Sequence, residues 1–268
     1  MNPLIGNGVN VFFEDLGPRD GAPVILIHGH PFNHSMWAPQ TTALTTAGYR
    51  VITPDLRGYG QSPVVPGKTL LADFADDLAA LLDSLGVEQA VVGGVSMGGQ
   101  IAMEMRLRHP GLVRALVLSD TSAPPETPEG MTFRRELAER LLAEGMKPYA
   151  DEVIDKMLAP YNVTAMPEAA AKVTGMMCAT DPRGAAAALR GRAERPDYRP
   201  VLAALPASVP CLIVVGRDDE YTPVAEAESL HALAAHSVLT VVERAGHLPG
   251  VEQPEAFNRA LLEFLAAL

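Results

Sequence analysis

The run Val91-Val92-Gly93-Gly94-Val95-Ser96-Met97-Gly98-Gly99-Gln100 places a serine in Gly-x-Ser-x-Gly spacing, between an apolar stretch and a helical pattern. A strand that reverses sharply into a helix leaves no room for Cβ atoms beside the turn, so the glycines point to a strained serine at its apex. Such a turn lifts the Ser96 hydroxyl to the carboxyl edge of a sheet. It also sets the Met97 N–H at a helix N-terminus, where it can donate to a developing oxyanion. The chemistry that fits is nucleophilic attack on an acyl carbon.

A serine hydroxyl is a weak nucleophile until a base takes its proton. Of the seven histidines, His109 ends a helix before Pro110, and His231 and His236 lie on or just after the helix preceding the last strand. Those are positions for surface or capping residues. His247, in Glu243-Arg244-Ala245-Gly246-His247-Leu248-Pro249, follows the final strand at the carboxyl edge where α/β sites form, and is the best-placed base. The base in turn needs a carboxylate to hold its tautomer and to stabilise the imidazolium. Gly216-Arg217-Asp218-Asp219-Glu220 offers three acids after an apolar strand, and Asp120 is a fourth. Residue chemistry alone does not choose among them.

The elements that must position these groups are visible as pattern. The first 120 residues alternate β-branched runs (Val24 to Ile27, Arg50 to Thr53, Ala90 to Gly93, Ala115 to Leu118) with longer helical stretches. That alternation predicts a parallel sheet covered by helices, with a further strand over Val9 to Leu16. Thr69 to Leu85 repeats apolar residues at helical spacing and stops at Gly86, a good helix terminator. From Thr121 to Leu205 no strand-like run occurs, and nine prolines punctuate short helices. Phe133, Leu137, Leu141 and Leu142 stripe one of them, Tyr149, Val153 and Met157 the next, and Asp181-Pro182 caps another. Strands resume at Cys211 to Val215 and Val238 to Val242, and a last helix runs from about Pro254 to Leu268. The expectation is one α/β domain, residues 1–120 and 206–268, interrupted by a helical insertion over 121–205.

Six of the eleven methionines fall in the insertion, either as ordinary core packing or as an adaptable apolar wall over a pocket. Met131, Met157 and Met177 are the candidate substrate contacts there, with His34 in the core.

Composition removes whole classes of function. At 268 residues, with 48% hydrophobic and 20% charged residues, the chain can bury a sizeable core, and disorder is excluded. Its net charge of −11 would repel a polyanion, so nucleic acid is not an expected partner. No apolar run is long enough to span a membrane, and Met1 to Asn10 lacks a basic segment followed by an apolar one, so a cytoplasmic, membrane-free protein is expected, as monomer or homodimer. Cys178 and Cys211 are too few for a disulfide framework or a cysteine-rich metal site and read as inert thiols, Cys211 in a buried strand. His28, His30 and His34 lack carboxylates at the spacing of a metallohydrolase, so no metal site is expected.

Five motifs in order give the chain a clear resemblance to the α/β-hydrolase superfamily over nearly its whole length. They are His28-Gly29-His30-Pro31, Asp55 to Ser62, Gly94 to Gly99, Gly216-Arg217-Asp218-Asp219 with Pro223, and Gly246-His247 with Glu252 and Pro254. The resemblance implies an α/β-hydrolase fold whose acid lies three residues after the glycine and four before the proline, which selects Asp219. It also implies the order Ser96, Asp219, His247, a second oxyanion donor from the His30 backbone N–H, and a cap over 121–205 inserted after the sixth strand. Arg57 in the second motif is a structural ion-pair or carbonyl donor. Dehalogenase-like and epoxide-hydrolase-like relatives carry an aspartate where this chain has Ser96, so those activities are not implied. The segment His28 to Ser62 is similar to cofactor-free haloperoxidases, which are perhydrolases. The elbow, Leu116 to Ser122 and the methionine-containing cap are more similar to 3-oxoadipate enol-lactonases and small carboxylesterases.

The implied activity is hydrolysis of an ester or lactone through an acyl-enzyme, without metal or organic cofactor. Lactonase-like or perhydrolase action at the same residues, acyl transfer to another acceptor, and a ligand receptor that keeps the triad are the alternatives. Arg190, Arg192 and Arg195 can serve a substrate carboxylate or simply face solvent.

Overall fold

The β-branched runs pair side by side. The computed structural model describes residues 9–268, so the leader reading of Met1 to Asn10 falls mostly outside the described residues. The strands are β1 (Phe13–Leu16), β2 (Pro23–Ile27), β3 (Arg50–Pro54), β4 (Ala90–Val95), β5 (Val113–Ser119), β6 (Cys211–Gly216) and β7 (Ser237–Val242). They form one seven-stranded sheet in the order β1-β3-β2-β4-β5-β6-β7, with β1 antiparallel to β3 and the other pairs parallel. β4 and β6 are buried at every position, and β2 at all but its first, because helices cover both faces. Alternate residues serve the two faces: Ile25, Val92, Leu116 and Ile213 pack under one set of helices, Leu26, Val91, Val117 and Leu212 under the other.

The first helices are α1 (Ala38–Thr46), α2 (Leu71–Ser84) and α3 (Met97–Arg108). Between β5 and β6 come α4 (Pro128–Glu144), α5 (Met146–Met157), α6 (Pro160–Ala165), α7 (Pro167–Ala179), α8 (Pro182–Arg192) and α9 (Arg199–Ala203). After β6 come α10 (Val224–Leu233), α11 (Pro249–Glu252) and α12 (Pro254–Ala266). Counted over the described residues, the helical insertion follows the fifth strand. Five of its helices place proline at the first or second position, where the missing N–H has no intrahelical partner to lose.

Element ends follow local hydrogen bonding. The strand expected over Val9 to Leu16 is regular only from Phe13, because the Phe12 N–H leaves the ladder for the Ser62 hydroxyl at 2.9 Å. Helix α2 begins at Leu71 rather than Thr69, because the Thr69 N–H donates to Ala187 O and Asp73 reaches back to the Leu70 N–H at 2.7 Å. Gly86, at φ +66°, ends it as expected. In α4 the buried stripe is Leu137, Ala138 and Leu141. Phe133 and Leu142 of the expected stripe are exposed, and Phe133 stands instead at a cavity mouth. Arg57 forms a buried bidentate pair with Asp77, Cys211 is buried in β6 and Cys178 is exposed.

Candidate active site

Ser96 sits between β4 and α3 at φ 54°, ψ −116°, a conformation that costs a non-glycine residue energy and persists only where the surroundings impose it. The surroundings do so with two hydrogen bonds. The Ser96 N–H donates to Ser119 O at 2.9 Å, and the Thr121 hydroxyl donates to Ser96 O at 2.7 Å. The flanking glycines are steric necessities: a Cβ on Gly94 would overlap the Gly98 backbone, and one on Gly98 would overlap Ile27 O. Asp120 and Arg244, the other non-glycine residues at positive φ among the described residues, follow β5 and β7. The strain is therefore gathered at the carboxyl edge of the sheet, where parallel α/β folds bind ligands.

His247 follows β7 and is buried, with its Nδ1 2.8 Å from Asp219 Oδ2. Asp219 follows β6 and is anchored by four donors. Its oxygens accept the Tyr221 N–H at 2.8 Å, the Thr222 N–H at 3.1 Å, the Thr222 hydroxyl at 2.5 Å and the His247 ring. Burial alone would raise its pKa, but the His247 ring and the Thr222 donors bring it below the usual value. The Nε2 of His247 has no partner among the described residues, and the Tyr221 ring meets the imidazole edge-on with centroids 5.1 Å apart.

Asp120, the fourth acid of the sequence reading, is buried beside this pair. One of its oxygens, one of Asp219 and a ring nitrogen of His247 lie within 4.8 Å of one another. Burial and the Asp219 charge hold the Asp120 carboxyl well above the usual carboxylate range, while Gly216 N–H and the Ser119 hydroxyl donate to it. This is the one grouping of three metal-type ligands among the described residues, and its atoms are engaged with each other and with the backbone. Asp218, the other near acid, points away and accepts the Tyr161 hydroxyl.

Ser96, His247 and the His30 side chain line one cavity of about 440 Å³. The backbone N–H groups of His30 and Met97 have no acceptor among the described residues. The His30 ring hydrogen-bonds the Tyr59 hydroxyl at 2.8 Å, and burial, with nearby Arg192, holds its pKa well below the ordinary imidazole value.

The insertion supplies most of the cavity wall through α4, α5 and α8. Met157 lines it, whereas Met131 does not and Met177 is fully buried, so the methionines serve mainly as core. His34 also lies elsewhere, because its ring and its backbone N–H are both drawn 2.7 Å from Asp55.

The sequence reading missed three contributors. Glu252 accepts Gly246 N–H at 2.7 Å, Ala159 N–H at 2.8 Å and the Asn162 amide at 2.7 Å, tying the His247 loop to α6. Tyr221 packs on His247, and Gln100, one turn after Ser96, faces the cavity. Only Glu252 had a signal, its place in the last motif.

A family model described as alpha/beta hydrolase fold matches residues 22–254. The 3-oxoadipate enol-lactonase 2 of Acinetobacter baylyi is 30% identical over 258 residues, covering 96% of this chain and 94% of the relative. Among solved structures, a thermophilic esterase from Thermogutta terrifontis with malate bound superposes with a TM-score of 0.94 at 38% identity, covering 99% of this chain and 97% of that one. The enol-lactonase from Burkholderia xenovorans superposes with a TM-score of 0.90 at 26% identity, covering 98% and 99%.

Proposed function

The chain belongs to the alpha/beta hydrolase fold family, and from that premise we propose that it is a serine hydrolase of carboxylic esters or lactones, with Ser96, His247 and Asp219 as its triad. The observation that carries the reading is a serine forced to φ 54° in a cavity it shares with an imidazole whose far nitrogen is 2.8 Å from a buried carboxylate.

In this mechanism the Ser96 Oγ attacks the substrate carbonyl while His247 Nε2 takes its proton. Asp219 keeps the Nδ1 proton in place and stabilises the imidazolium. The oxyanion receives the Met97 and His30 N–H groups, aimed at developing charge from a helix N-terminus and from the loop after β2. His247 then hands its proton to the leaving alcohol, and an ester to Ser96 remains. Water, deprotonated by His247, cleaves that ester and releases the acid. The mechanism uses side chains and backbone only. The segment 121–205 serves as the cap, because α4, α5 and α8 roof the cavity and fix which acyl or alcohol groups enter.

Initial rates on p-nitrophenyl esters from acetyl to dodecanoyl, with Ser96→Ala alongside, test the reading. A chain-length optimum is expected in the native enzyme, and a loss of roughly 10⁴- to 10⁶-fold in the variant. A Ser96→Ala enzyme that kept more than about a tenth of the native rate, well short of such a loss, would overturn the assignment. The enol-lactonase similarity makes lactones the second panel.

A further inference from the structure

Arg192 ends α8, is only 8% exposed, and forms part of the wall of the Ser96 cavity. Its Nε meets the side-chain oxygen of Gln100 at 3.3 Å, and no carboxylate lies in ion-pair range of its guanidinium among the described residues. A full charge is thus buried against one neutral amide. The carbonyls at the C-terminus of α8 offset this only in part.

The neighbours add to the imbalance. Glu126 is shared by two other guanidinium groups, bonding Arg134 and lying 3.3 Å from Arg195. Burial, and then Arg134 and Arg195, push the pKa of Arg192 well below the ordinary guanidinium value. Over the whole cavity wall, five cationic side chains face three carboxyl groups, one of them Asp120, whose pKa burial and the Asp219 charge raise, in a chain whose net charge is −11. Arg190, two residues earlier, turns outward and pairs with Glu139 at 2.6 Å. Helical phase therefore leaves Arg192 as the buried arginine of this group without a carboxylate partner.

Gln100, the anchor of Arg192, stands four residues after Ser96 and lines the same cavity, so the guanidinium and the serine belong to one compartment.

We propose that the substrate carries a second, free carboxylate, held by the Arg192 fork in the same cavity as the carbonyl that Ser96 attacks. Such a group supplies the missing counter-charge and matches the planar donor pair of a guanidinium. Glu126 keeps Arg134 and Arg195 from competing for it. The inference rests on the serine-hydrolase reading for the bond cleaved, but not for the anion site itself.

The test compares kcat/KM for monoethyl glutarate and for its uncharged counterpart ethyl pentanoate, followed by acid release. The native enzyme should prefer the anionic ester by about 10- to 100-fold, the range of a hydrogen bond to a charged group. Arg192→Met should collapse that ratio toward one, chiefly by raising KM for the anionic ester, and Arg192→Lys should recover part of it. Preference for the neutral ester in the native enzyme, or an unchanged ratio in Arg192→Met, overturns the proposal. Calorimetry on the native protein needs no variant. Glutarate should bind and glutaramide should not, and equal binding of the two also overturns it. If no ester is turned over, the hydrolase reading fails while the calorimetry still decides the anion site.

Discussion

Two His–Asp pairs of nearly equal length lie in different parts of this molecule, His247–Asp219 at 2.8 Å and His34–Asp55 at 2.7 Å. In both, a ring Nδ1 faces a buried carboxylate that also accepts backbone N–H groups. The surroundings separate them. His247 shares a cavity with Ser96 and keeps Nε2 unengaged among the described residues. The Nε2 of His34 faces Glu14 at 3.8 Å, and the adjacent Ser35 hydroxyl is turned to Asn33 at 2.7 Å. The difference teaches that a short His–Asp contact is structural by itself. On the reading proposed above, the same contact would serve catalysis at His247, which shares a cavity with the strained Ser96.

The largest expected effect is on the first pair. Asp219→Asn should lower kcat by roughly 10⁴-fold with little change in thermal stability, because an amide leaves the imidazole in the wrong tautomer. Asp120→Asn, whose side-chain oxygen can still accept the Gly216 N–H, should cost less than about tenfold, far below the loss expected at Asp219. Steady-state kinetics on a p-nitrophenyl ester check both. If Asp120→Asn proved the more damaging, the catalytic acid would be the residue after β5.

The second pair should respond in the opposite currency. Asp55 accepts His34 through its backbone N–H and its ring and Gln61 at 2.8 Å, pinning the loops after β2 and β3. Asp55→Ala should destabilise the fold by roughly 3 kcal/mol or more, since it orphans buried donors. His34→Gln should cost about 1 to 3 kcal/mol. Urea unfolding measures both, and kcat in the folded His34→Gln enzyme should stay within about threefold, since a hydrogen bond outside the cavity adds no transition-state contact. A loss of hundredfold in that variant would erase the distinction between the pairs.

How much of this was legible follows from the same contrast. The elbow around Ser96 was readable because close backbone packing demands glycine at fixed offsets, and Gly94 and Gly98 meet backbone where a Cβ would stand. The strands were readable because a sheet buried on both faces needs uninterrupted apolar runs. Asp219 was one of four acids until the family pattern chose it, since tertiary position decides which carboxylate faces an imidazole. The cavity wall was readable only in part, through Met157 and the arginines as a group. Arg190, Arg192 and Arg195 look alike in sequence, and only the placing of Glu139, Glu126 and Gln100, which lie 51 to 92 residues from the arginines they contact, distinguishes them.

The smallest effect is a pH signature. His34 has its pKa raised above the ordinary 6.5, first by its bond to Asp55, so the native state holds that proton more tightly than the unfolded chain. Its contribution to stability is therefore complete below about pH 6.5 and is lost as pH rises through the folded value. Asp55, which burial would raise but which the His34 and Gln61 donors bring below 3.8, contributes above the unfolded value and is lost as pH falls through its folded one. His28 works in another window. Buried and neutral, with Nε2 accepting the Leu56 N–H at 3.0 Å, it is brought down to about 4, chiefly by burial. Its contribution is complete above the unfolded value and is withdrawn as pH falls from about 6.5 toward about 4. The difference in melting temperature between the native chain and His34→Gln, followed between about pH 5.5 and 8.5, should thus be widest below about pH 6.5 and shrink as pH rises above it. The acid-side decline governed by His28 should persist in the variant. A difference that stayed constant across that range would mean that the His34–Asp55 pair holds its loops without sharing a proton unequally between folded and unfolded states.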